Sequence, residues 1–118
     1  MAGSKNERIQ ELAAALSSAL AAVKPEAHFD WKAMFGGAGF YVDGTMFAAW
    51  YGESIALKLP EDARADLLGV EGAVQAQSPQ YVEVPLAWVE DTRLLEPWVA
   101  RSVAYMKAPK PKKGKRSS

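Results

Sequence analysis

Apolar residues recur at three- and four-residue steps through Ile9, Leu12, Leu16, Leu20 and Val23, which is one stripe of an amphipathic helix. Ser4-Lys5-Asn6-Glu7 ahead of it fits a capping box, and Pro25 ends the run. The intervening alanines keep this helix thin, so it can lie close to a sheet. From Trp31 to Leu59 the period changes to two, the period of a strand. Asp43-Gly44 is a hairpin signal, because a type I′ turn needs positive φ at both central positions. A two-residue loop there pairs Val42 with Thr45, Tyr41 with Met46 and Phe40 with Phe47. A second turn at Gly52-Glu53 sets Trp50 against Ile55, Ala48 against Leu57 and Met46 against Leu59. The segment reads as a three-stranded antiparallel meander.

Strict alternation sorts these strands into two faces. Tyr41, Met46, Ala48, Trp50, Ile55, Leu57 and Leu59 form the aliphatic face expected to meet the helices. Phe40, Val42, Thr45, Phe47, Ala49, Tyr51, Ala56 and Lys58 form the other, with aromatics that look exposed. Pro60-Glu61-Asp62 then opens a short helix with Ala63, Leu67 and Leu68 inward and Gly69 at its end. Residues 70–79 read as loop with a short strand, and Tyr81-Val82-Glu83-Val84 as a strand that Pro85 ends. Asp91 or Thr92 caps a last helix with Leu94, Leu95, Trp98, Val99, Ser102, Val103 and Met106 inward. Pro97 is tolerated there only because it falls near the start. The expected fold class is α+β in two layers. An antiparallel sheet, the meander plus one or two further strands, packs against the N-terminal and C-terminal helices.

The chain has 118 residues and is 49% apolar, enough for one domain whose core needs no disulfide or metal. It has no cysteine, which excludes disulfides, zinc thiolates and Cys nucleophiles and fits a reducing, cytoplasmic setting. No run is apolar for long enough to span a membrane. Leu12 to Val23 faintly imitates a signal peptide, but Glu7 and Glu11 interrupt that pattern. The zero net charge conceals an asymmetry. Lys107, Lys110, Lys112, Lys113, Lys115 and Arg116 are basic, and no acid follows Glu96, so residues 1–106 carry a net −6 and residues 107–118 a net +6. The expected organisation is a folded domain over 1–106 and a disordered basic tail over 107–118.

No reactive constellation stands out. Gly36-Gly37-Ala38-Gly39 has the look of a phosphate loop, but it feeds a strand and no Gly-Lys-Ser/Thr follows. A close approach of strands or a bulge at Gly39 explains it better. His28 is the sole histidine and sits beside a helix end. Asp43, Glu90 and Asp91 suit turn and cap chemistry, and Glu61, Asp62 and Asp66 a solvated helix face. The aromatic face of Phe40, Phe47, Tyr51 and Lys58 is a candidate interaction surface, for a protein or a second copy of the chain. Burial of that face by another segment of the same chain remains the alternative. The tail is a candidate nucleic-acid contact or a solubilising terminus.

The combination of Met34-Phe35-Gly36-Gly37, Gly39-Phe40-Tyr41-Val42-Asp43-Gly44, Met46-Phe47-Ala48 and Leu57-Lys58-Leu59 resembles the N-terminal domain of the TfoX/Sxy family. The Tyr81 to Pro85 strand and the Trp98 helix follow in family-like order, so the resemblance covers about residues 8–106. It implies helices packed on an antiparallel sheet and a bacterial regulatory role. Full-length members act in natural competence, where they are thought to help the cyclic-AMP receptor protein activate transcription. Those members carry a second, helical domain where this chain has the basic tail. The resemblance brings no catalytic residues with it. The expectation is therefore a non-catalytic regulatory domain acting through protein contacts, its partner being transcription machinery or itself. The alternatives are a nucleic-acid-associated protein using the tail, and a ligand-binding protein or enzyme with a pocket between helix and sheet. No cofactor, metal or membrane association is expected.

Overall fold

A computed structural model describes residues 4–34, 36–51 and 54–107. Helix α1 (Ser4–Val23) leads into strands β1 (Phe29–Met34), β2 (Gly37–Val42), β3 (Thr45–Trp50) and β4 (Ile55–Lys58). Helix α2 (Glu61–Leu68), strands β5 (Val74–Gln75) and β6 (Tyr81–Glu83), a 3-10 helix over Leu86–Glu90 and helix α3 (Thr92–Lys107) follow. The six strands form one antiparallel sheet in the order β1-β2-β3-β4-β6-β5. The α+β expectation holds, with three strands beyond the meander. At the capping box only the backbone of Ser4 is described, and the Gly52-Glu53 turn lies outside the described residues.

Asp43 and Gly44 both have positive φ, 51° and 87°, so the hairpin turn forms as its sequence demands. Val42 faces Thr45 and Tyr41 faces Met46, as expected. The ladder then slips, and Phe40 faces Ala48 rather than Phe47. Phe47 is the extra residue of a β-bulge, and one inserted residue inverts the alternation beyond it.

This corrects the face assignment. Phe40, Val42 and Phe47 turn toward the helices together with Ala48, Ile55 and Leu57, and all six are buried in one core. Tyr41 and Met46 turn to the opposite face. Without the bulge the two large apolar sets would lie on opposite sides of the sheet, and one would face water. The bulge unites them.

The core lies between this face and the helices, joined by Ile9, Leu12, Leu16 and Leu20 of α1, Ala63 and Leu67 of α2, and Leu95, Val99 and Val103 of α3. Ser102 is buried within it and donates to the Phe47 carbonyl at 3.2 Å. Arg101 pairs with Asp66 at 3.1 Å and covers the Trp98 ring, tying α3 to α2, while Trp98 stacks on Trp88. Leu68 and Leu94 are exposed rather than inward. Each lies one position off its helix's buried stripe, and one position is about 100° of rotation.

Candidate functional site: the helix-free face of the sheet

Three helices cover one side of the sheet, which leaves the other side as the place to look for function. Residues paired across an antiparallel ladder share a face. Asp30, Lys32 and Met34 lie opposite Tyr41, Gly39 and Gly37. Tyr41 faces Met46 and Gly39 faces Ala49. Ala49 faces Ala56, which in turn faces Glu83, and Lys58 faces Tyr81. The outer face therefore has a centre of glycine and alanine ringed by Met34, Tyr41, Met46, Lys58 and Tyr81.

The small residues are what make the centre low. Ala49, Ala56, Ala76 and Tyr81 form a second buried cluster with Met46 packed on it. The Met34 and Met46 side chains fold over Gly39, so close that a Cβ there would stand 2.8 Å from Met34 Cε and from Met46 Sδ. This is the close approach expected at Gly39. At Gly37 a Cβ would collide with the Trp50 backbone oxygen, so the glycine run serves strand packing rather than a phosphate loop.

The polar groups are the phenols, Lys32 and Lys58, and the carboxylates of Asp30 and Glu83. Burial pushes the Tyr81 hydroxyl from 10.0 up to about 12, with smaller contributions from Tyr51 and Tyr41, which places three phenols within electrostatic reach of one another. The Lys32 ammonium stands 5.8 Å from the centre of the Tyr41 ring, a cation–π distance. Tyr and Met with a low apolar floor make a surface suited to association rather than proton transfer.

Of the residues expected to form an interaction surface, Phe40 and Phe47 are 0% exposed and belong to the helix-facing core. That expectation is overturned for both, because burial by helices of the same chain is what occurs. Tyr51 is 38% exposed and Lys58 half-buried, so both remain accessible. Strict alternation sets Tyr41 and Met46 in the core and does not single out Tyr81, Met34 or Lys32. The signal for Tyr41 was its partner Met46, correctly paired but assigned to the wrong side.

Lys110, Lys112, Lys113, Lys115, Arg116 and the side chain of Lys107 lie outside the described residues. His28 is exposed, and its N–H donates to the Asp43 carboxylate at 2.9 Å while its carbonyl accepts from the Asp43 N–H at 2.8 Å. Asp43 thus serves the turn. Among the described residues no group of three His, Cys, Asp or Glu is placed to hold a metal ion, and no helix is long and apolar enough to cross a membrane. A groove of about 410 Å³ separates α1 from β1, lined by Gln10, Ala13, Ala14, Ser17, Phe29, Asp30 and Trp31.

In comparisons with known proteins, the family model described as the TfoX N-terminal domain matches residues 21–106. No curated protein and no solved structure gives a significant match.

Proposed function

Because this chain belongs to the TfoX N-terminal domain family, we propose that it is a small regulatory domain that holds a protein partner on the helix-free face of its sheet. The observation behind this reading is the Tyr41, Tyr51, Tyr81, Met34 and Met46 surface around the Gly39, Ala49 and Ala56 floor. Tyr and Met supply large contact area with adaptable packing. The reading contains no reaction. The Asp43 carboxylate accepts from the His28 backbone N–H, which assigns it to the hairpin turn. The family's competence members direct the search for a partner to the transcription machinery of a bacterial cytoplasm.

The test is complementation in a deletion strain of the native host. Tyr51→Glu changes an exposed residue and leaves the core intact, so the variant should fold and yet fail to restore the transcripts that deletion alters. Full complementation, or a deletion that alters no transcript, removes the reading.

A second reading rests on the Lys32–Tyr41 contact. Aromatics on a sheet with lysines beside them stack the bases of single-stranded nucleic acid, and the basic tail would add counterion release. Fluorescence anisotropy with a labelled oligonucleotide decides it. Binding that falls with Tyr41→Ala supports the platform, and binding that falls only on removal of residues 107–118 supports the tail. No binding at low salt excludes both.

A further inference from the structure

Among the described residues strand β1 is an edge of the sheet, with β2 as its only neighbour. Its backbone phase is fixed by the two hydrogen bonds between His28 and Asp43 just before the ladder begins. In an antiparallel ladder, bonded and non-bonded positions alternate. Asp30, Lys32 and Met34 therefore turn their N–H and C=O groups toward β2, and Phe29, Trp31 and Ala33 turn theirs out to the edge. The outward Trp31 N–H is met by the carboxylate of Asp30 at 2.9 Å. That contact comes from an adjacent side chain, and a strand laid along the edge would replace it.

We propose that the occupant of this edge is the β1 strand of a second copy of the chain, antiparallel, with the two-fold axis through Trp31. This is the arrangement in which the outward groups match. Trp31 exchanges both backbone hydrogen bonds with its counterpart, and Phe29 does so with Ala33 of the other copy. Asp30 of each copy then falls directly opposite Lys32 of the other, at the closer, non-bonded spacing. A lysine on an edge strand ordinarily discourages pairing. Here the residue two before it has the opposite charge, and the axis between them makes the strand self-complementary.

The helix side agrees. Phe29, Trp31 and Ala33 lie on the helix side of β1, and the groove of about 410 Å³ between α1 and β1 has Phe29 and Trp31 on its strand wall and Ala13, Ala14 and Ser17 on its helix wall. These small residues leave room where the two Trp31 rings meet across the axis. They also allow the two α1 helices to approach each other over the joined sheet. The result is an isologous dimer with a continuous sheet and no free β1 edge.

The contact runs along the β1 backbone edge and meets the helix-free face only at Asp30 and Lys32, so a failure here leaves standing the function proposed above, which is tested at Tyr51. The test is sedimentation of the full chain by analytical ultracentrifugation at about 100 μM, where a small interface of this class registers, with circular dichroism to verify folding. The wild type should be dimeric. Asp30→Lys and Lys32→Asp should each raise the dimer dissociation constant roughly tenfold, since each sets like charges opposite one another at two symmetric positions. The double variant D30K/K32D should restore dimerisation. An equimolar mixture of the two single variants should form a heterodimer, because every pair in it is again opposite in sign. A monomeric wild type overturns the proposal. So does a dimer indifferent to both single substitutions, or a double variant that fails to recover.

Discussion

The Ser102 hydroxyl donates to the Phe47 carbonyl oxygen at 3.2 Å across 55 residues of chain. Phe47 is the bulge residue and has no cross-strand partner in either ladder of β3. A bulge leaves a backbone group unpaired, and one inside a core needs another partner. Helix α3 supplies it, so the irregularity in the sheet and the serine on an otherwise apolar helix face explain each other.

Two buried serines should therefore respond oppositely to the same substitution. Ser102→Ala strands the Phe47 carbonyl and should cost about 1–3 kcal/mol, or roughly 4 °C of melting temperature per kcal/mol. Ser54 is also buried, but its hydroxyl has no hydrogen-bond partner among the described residues. Ser54→Ala removes a desolvated polar group and should be neutral or slightly stabilising. Thermal denaturation of both variants reads the difference in sign.

The bulge also marks the limit of what the sequence disclosed. Helix α1, the Asp43-Gly44 turn, the Trp50–Ile55 and Ala48–Leu57 pairs and α3 follow from period and turn chemistry, each of which acts within a few residues. The expected Met46–Leu59 pair is lost, because the bulge turns Met46 to the outer face while Leu59 stays in the core. The pairing of Phe40 with Ala48 does not follow from local chemistry, because it depends on Ser102 and on the helix layer that Phe40 and Phe47 must meet. A purely alternating strand puts those two Phe residues on the outside. The candidate site inherited that error, since Tyr41 and Met46 exchange faces with them. Phe47→Ala should cost about 3–5 kcal/mol as a core truncation, while Tyr51→Ala should stay within about 0.5 kcal/mol. Urea denaturation of the pair tests the face assignment, and equal effects would contradict it.

The two strand glycines should separate in the same way. A methyl at Gly37 meets the Trp50 backbone oxygen, which the β2–β3 ladder holds in place. Gly37→Ala should cost about 3 kcal/mol, the upper end for overpacking. A methyl at Gly39 is crowded by the ends of the Met34 and Met46 side chains and meets the Tyr41 ring at an ordinary 3.4 Å. The methionine ends can swing aside, so Gly39→Ala should cost about 1 kcal/mol at most. It should also raise the floor of the outer face, weakening a partner bound there without unfolding the domain. Melting temperatures give the first contrast, and complementation by Gly39→Ala gives the second.

Tyr81 carries a pH dependence whose direction is fixed by its surroundings. Its phenol is pushed from 10.0 up to about 12, chiefly by burial and then by the nearby Tyr51 and Tyr41. Between these values the unfolded chain has released this proton and the folded chain keeps it, so the folded state binds more protons and stability falls as pH rises. The contribution is complete below pH 10 and is lost as the pH climbs through about 12. Its full size is on the order of 2 kcal/mol. A titration followed by tyrosinate absorbance should show a late step near pH 12 that belongs to Tyr81. Tyr81→Phe should remove that late step and flatten the alkaline limb of the stability curve. Tyr51→Phe should move the step only slightly toward lower pH, because burial outweighs the neighbouring phenols. If no such late step appears, then Tyr81 is not sealed over Ala49 and Ala56, and the low apolar floor of the outer face is open to water.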